Sequence, residues 1–162
     1  MEKEFLEIIR KNQGIIHKVC NIYCDDQEDK NDLFQEIVAQ LWRSFPSFRK
    51  ESKFSTWMYR VALNTAITTF KKTKRRPDQN RLTFENFQIK DESYSAEIEE
   101  DLKRMHRAVA QLTGVEKSIV LLYLENKKYE EIAEITGITQ NYVRVKMNRI
   151  KKKLRKFMDT ED

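Results

Sequence analysis

The sequence predicts an all-α protein built as two small helical lobes joined by a flexible linker, the second lobe containing a helix-turn-helix. Three observations predict it. Apolar residues recur at threes and fours through most of the chain, and no run alternates convincingly as a half-buried strand would. Only 3 glycines and 2 prolines occur in 162 residues, which favours long helices with brief connections. One stretch, Pro77 to Glu97, is polar, ends acidic and carries no period, so it reads as the linker between lobes at 1–76 and 98–160.

The first helix spans Glu2 to Tyr23, with Phe5, Ile8, Ile9, Ile15, Ile16, Val19, Ile22 and Tyr23 on its inner face and a weak point at Gly14. Cys24 to Asp29 is a polar turn in which Asp25 or Asp26 can cap the next helix. That helix runs from Glu28 to Phe45. Leu33, Phe34, Ile37, Val38, Leu41, Trp42 and Phe45 form its stripe, with Asp32, Gln35, Glu36, Ala39, Gln40 and Arg43 opposite, and Pro46 ends it. Ser52 or Ser55 can cap a third helix carried by Phe54, Trp57, Met58, Val61, Thr65 and Phe70 and fading near Lys71.

Beyond the linker, Ile98, Leu102, Met105, Val109 and Leu112 step by four and three, and Gly114 interrupts the pattern. Val115 to Leu124, Lys127 to Thr136 and a Thr139-capped run to Phe157 make three further helices. The last two, around Ala133, Gly137 and Ile138, have the helix-turn-helix layout. A small residue sits at the crossing, a glycine can take a positive φ in the turn, and Val143, Met147, Ile150 and Leu154 face inward.

Composition narrows the function. Net charge is +5, which permits a polyanionic partner without demanding one. Cys20 and Cys24 are too few for a disulfide framework and suit a reducing compartment. No apolar run reaches membrane-spanning length and Met1 to Arg10 lacks a secretory apolar segment, so a soluble cytoplasmic protein is expected. No P-loop, dinucleotide fingerprint, nucleophile elbow or HExxH occurs, and His106 is isolated, so no catalytic residue, cofactor or small-molecule substrate is expected. His17, Cys20 and Cys24 share the first helix but lack a fourth ligand, so no metal is expected.

Two stretches point to nucleic acid. Between Thr139 and Met158 there are eight Lys or Arg and no acid, and Gln140, Asn141, Arg144, Val145, Asn148 and Arg149 remain outside on the N-terminal half. In a helix-turn-helix that half enters the major groove, where Gln, Asn and Arg pair with base edges while basic residues meet phosphates. The alternative is a helical bundle with a solvated basic helix. In the first lobe, Phe48, Arg49, Lys50, Lys53, Phe54, Trp57, Tyr59, Arg60 and Asn64 interleave aromatics with cations ahead of a cluster from Lys71 to Arg76. Such a surface stacks unpaired bases; equally, Phe54 and Trp57 at helical spacing are core. The polar face holding Asp32, Gln35 and Glu36 is by itself either a docking site or a solvated surface.

At these residues the chain resembles bacterial RNA polymerase sigma factors of the extracytoplasmic-function group, within the sigma-70 family. The run from Asp32 through Leu33, Phe34 and Gln35 to Trp42, and the run from Phe48 through Phe54, Trp57 and Arg60 to Asn64, resemble two segments of its region 2. Tyr129 to Leu154 is similar to its region 4 helix-turn-helix. Lys30 and Asn31 stand where many members carry Ala-Glu before the Asp.

The resemblance implies a factor that binds core RNA polymerase and directs it to promoters. By position, Asp32, Gln35, Glu36, Leu41 and Trp42 would dock on the β′ clamp, with the β flap a further contact. Phe48, Lys53, Phe54, Thr56, Trp57, Arg60 and Asn64 would read the minus-ten element and hold a flipped base, and Lys71 and Lys72 would follow the melted strand. Gln140, Asn141, Arg144, Lys146, Asn148 and Arg149 would read the minus-thirty-five element. The linker would lie in the polymerase cleft, and an anti-sigma factor, often membrane-bound, would hold the protein inactive. The competing reading is a stand-alone helix-turn-helix regulator, which has no use for a docking surface at Asp32 to Trp42.

Overall fold

The computed structural model describes residues 1–48, 53–74 and 96–160, and for 70–74 and 160 the backbone only. Among the described residues, seven α-helices follow one another: α1 (Glu2–Tyr23), α2 (Gln27–Ser44), α3 (Phe54–Lys74), α4 (Ala96–Ala110), α5 (Gly114–Leu124), α6 (Tyr129–Thr136) and α7 (Gln140–Thr160). No strand occurs among the described residues.

Local chemistry sets the helix ends. Asp26 caps α2, its carboxylate accepting from the Asp29 amide at 2.7 Å. Pro46 sits in a 3-10 turn, Phe45–Ser47, that closes α2. Helix α3 begins at Phe54, so Ser55 lies inside it and does not cap it, while Ser52 lies outside the described residues. Helix α4 begins at Ala96, ahead of the expected boundary at 98. The expected linker otherwise lies outside the described residues, as do Arg49, Lys50, Arg75 and Arg76.

Thr113 opens α5 with a capping box. Its hydroxyl accepts from the Glu116 amide at 3.2 Å, and the Glu116 carboxylate accepts from the Thr113 amide at 2.9 Å. The spacing Thr113-x-x-Glu116 carries that signal in the sequence. Helix α6 starts at Tyr129, two residues later than expected, and stops at Gly137, whose φ of 78° is the left-handed turn foreseen for it. Thr139 caps α7, accepting from the Tyr142 amide at 3.1 Å.

Helices α1, α2 and α3 pack mutually, and α5, α6 and α7 form a second group with α4 against α7. Ile16, Ile37, Leu41, Met58, Ile119, Leu122, Ile132, Val143 and Ile150 are fully buried. Each such side chain contributes about 1.5–3 kcal/mol of burial before entropy is counted. The two groups also touch: α1 and α3 lie against α5, and α3 against α6, so one apolar cluster runs through both.

Candidate nucleic-acid and protein-docking surfaces

Helix α2 presents one outward face. Asp32, Gln35 and Glu36 are exposed, and Gln40 donates to Glu36 at 3.0 Å. Trp42, which the periodicity assigns to the inner stripe, is 43% exposed, with its ring edge-on to Phe5 at 4.9 Å. A rigid ring held at the surface of a helix is a natural anchor for a protein partner. Leu41 corrects the expected set: it is completely buried, so it braces α2 and does not reach a partner.

The second surface lies on α3 and the turn before it. Phe48 packs against Phe54 at 5.3 Å and Trp57 at 5.0 Å, and Trp57 also meets Phe54 and Phe45. Trp57 is 8% exposed, so it belongs to the core and supports the half-buried Phe48 and Phe54 above it. Lys53, Thr56, Arg60 and Asn64 fall at spacings of three, four and four and therefore in one row. Lys53 and Asn64 are exposed; Thr56 and Arg60 are half-buried. Positions 71 and 72 continue α3, and their side chains lie outside the described ones.

The third surface is the outer face of α7. Gln140, Asn141, Arg144, Asn148 and Arg149 are all exposed. Lys146 is half-buried, its ammonium 5.6 Å from the centre of the Tyr142 ring. Lys151 lies 5.3 Å over Tyr123. Lys153 is turned inward to the Glu116 carboxylate at 2.8 Å, so this cation of the basic run braces α7 on α5. Burial raises the Glu116 carboxyl, but the bonds from Lys153 and Thr113 outweigh it and hold the group below the ordinary carboxylate range.

The sequence gives no warning of how the lobes meet. The Tyr23 hydroxyl donates to the Gly114 carbonyl at 2.5 Å, and the Lys117 ammonium lies 5.7 Å from that ring. Lys18 pairs with Glu125 at 2.8 Å, and His106 lies 3.2 Å from Asp25. The His106 bond holds the Asp25 carboxyl below its usual value against the opposing effect of burial. The Arg60 guanidinium donates to the Glu134 carbonyl of α6 at 2.8 Å. A residue of the second surface is thereby tied to the helix-turn-helix.

Burial pushes the Cys20 and Cys24 thiols up to about 11 and about 12, leaving both protonated near neutrality. Among the described residues, no group of three or more His, Cys, Asp and Glu is placed to hold a metal ion, and no helix is long and apolar enough to cross a membrane.

Comparison with known proteins places the chain in a family. The family description Sigma-70 region 2 matches residues 8–76, and Sigma-70 region 4 matches residues 102–154. The chain is similar to the ECF RNA polymerase sigma-E factor of Haemophilus influenzae, at 30% identity over 91% of this chain and 84% of that protein. It is also similar to the RNA polymerase sigma factor SigV of Bacillus subtilis, at 29% identity over 86% of this chain and 82% of that protein. Its fold resembles the sigma factor RpoE solved with the anti-sigma factor NepR from Bartonella quintana. That likeness has a TM-score of 0.68 at 18% identity and covers 99% of this chain and 98% of the other.

Proposed function

The chain belongs to the extracytoplasmic-function sigma factors of the sigma-70 family, non-enzymatic subunits that direct RNA polymerase to promoters, and on that premise we propose how its three surfaces divide the work. The face of α2 around Asp32, Gln35, Glu36 and Trp42 docks on the polymerase β′ clamp. The row Lys53, Thr56, Arg60 and Asn64, with Phe48 and Phe54 at its rim, receives the opened minus-ten strand. The outer face of α7 reads the minus-thirty-five duplex, and the second lobe also meets the β flap. The site of action is the cytoplasm, and an anti-sigma factor of the kind solved with the RpoE relative is the expected regulator.

The observation that carries this reading is the pairing in one chain of an exposed tryptophan on α2 with a basic recognition helix. A stand-alone regulator needs only the second. Bond chemistry comes from the polymerase. This chain contributes binding that is tighter to the opened strand than to duplex, which shifts the equilibrium toward melting. Extruding a base costs a few kcal/mol, and stacking on Phe48 or Phe54 at about 1–3 kcal/mol is of the size needed to offset it.

The packed arrangement constrains the mechanism further. Arg60 touches Glu134, and Gln140 follows Glu134 by six positions. Residues Gln140 to Arg149 therefore lie within about 40 Å of the Arg60 guanidinium. Elements about 25 base pairs apart are separated by about 85 Å of duplex. The lobes must part before both elements are held. The 21 residues from 75 to 95 allow a separation of about 75 Å between helix ends.

The test combines Gln35→Ala with Trp42→Ala. Capture by core polymerase should fall at least tenfold while duplex binding by the full chain is retained. Unchanged capture, with helical content preserved, would favour the regulator.

A further inference from the structure

On the outer face of α7, Val145 stands among polar side chains. Taking about 100° per residue, it points about 170° away from the mean direction of Val143, Met147, Ile150 and Leu154, the side chains that α7 buries. It is therefore the crest of the outward face. Asn141, Asn148, Arg149 and Lys152 surround it within about 60° on the helical wheel, and all four are exposed. Val145 itself is 38% exposed.

A lone exposed valine on a solvated helix needs no explanation. This one occupies the centre of the surface that enters the major groove, where each side chain faces a particular base-pair edge. The groove offers one apolar feature, the C5-methyl group of thymine. The neighbours of Val145 are donors and amides suited to purine edges or phosphates. Tyr142, the other exposed apolar residue near the start of α7, lies to one flank with Lys146 against its ring.

We infer that Val145 is a specificity residue of the minus-thirty-five surface, reading the methyl group of one thymine through contact with its own two methyls. This rests on the assignment of α7 as the duplex reader and adds to it a named side chain and a named base feature. Two methyl surfaces that exclude water from each other strengthen binding by about three- to fivefold, within the range for burying a single carbon. An exposed valine can be shortened without disturbing the fold, because its side chain supports nothing beneath it.

The experiment begins by selecting promoters from a randomised library with the full chain and core polymerase. In the enriched upstream element, each thymine is then replaced singly by deoxyuridine, which removes only the methyl. Occupancy is measured for wild type, Val145→Ala and Val145→Ile. At one position deoxyuridine should lower wild-type occupancy about three- to fivefold. Val145→Ala should cost a similar factor on the thymine promoter and show no further loss with deoxyuridine, while Val145→Ile keeps the sensitivity. An upstream element without thymine, no methyl-sensitive position, or an equal deoxyuridine cost in wild type and Val145→Ala overturns the inference and leaves promoter recognition intact. Failure of the library to yield any upstream element sinks the assignment of α7 itself.

Discussion

Replacing Tyr23 by phenylalanine removes one hydroxyl from the junction of the lobes and little else. That hydroxyl donates to the Gly114 carbonyl at the start of α5 across 91 positions of sequence. Tyr23 is 7% exposed, and burial pushes its phenol well above the ordinary range, a shift that a hydrogen bond with the Ser118 side chain opposes. Phenylalanine keeps the ring and its contact with Lys117. Ser118 keeps the Val115 carbonyl as a partner. The loss is therefore that of the hydroxyl's bonds to the Gly114 carbonyl and the Ser118 side chain, about 1–3 kcal/mol together, which raises the opening constant of the lobes about five- to 160-fold.

Dyes placed at Gln13→Cys on α1 and Lys128→Cys ahead of α6 would report the separation by energy transfer, since Cys20 is buried, Cys24 is half-buried and both thiols are protonated. Lys18→Ala is the contrast. Its pair with Glu125 is 49% and 27% exposed, so its loss shifts the constant by no more than about fivefold and commonly less. An opening constant for Tyr23→Phe equal to wild type, with helical content preserved, would refute the reasoning that this hydroxyl holds the lobes together.

Other perturbations follow from the same contacts. Glu116→Gln keeps the cap but loses the charge pair with Lys153, and should cost about 1 kcal/mol at neutral pH, measured by urea denaturation. The Glu116 carboxyl is held below its ordinary value. Its contribution is thus complete above the unfolded value of about 4.3, is lost as pH falls through the lowered folded value, and should vanish from the acid profile of the variant. Gly14→Ala, at an exposed helical position with open space around the new methyl, should stabilise by about 0.5–1 kcal/mol. Gly137→Ala, at a φ of 78°, should destabilise by about 1–2 kcal/mol in the same assay. Lys53→Ala with Asn64→Ala should weaken open-complex formation more than duplex binding, and an equal loss on duplex and on a pre-melted template would contradict strand capture.

Much of this fold is legible in the sequence because helices announce themselves locally. The period of α1, the Asp26 cap, the Gly137 turn and the inward set on α7 all depend on residues within one or two turns of each other. The surfaces were harder to read. Leu41 and Trp42 are adjacent in one apolar stripe, yet one is fully buried and the other 43% exposed. That difference is set by how α1 and α3 lie against α2, which spacing along α2 does not encode. Trp57 joins the core with Phe45 and Phe48, from the turn after α2, and Phe54, one turn earlier on α3, packed against it. The contacts between lobes, from Tyr23 to Gly114 and Arg60 to Glu134, join residues 91 and 74 positions apart and leave no local trace. The roles proposed for Asp32 to Trp42 and Phe48 to Asn64 rest on whole motifs, whose family resemblance carries information that burial and periodicity lack.

The most direct test of the central claim is transcription in vitro with core polymerase, with and without this chain, on a promoter library. Initiation is expected at a small set of promoters sharing both an upstream and a minus-ten element, dependent on the chain and reduced by Gln35→Ala with Trp42→Ala. Sequence-specific duplex binding with no chain-dependent transcripts would contradict it.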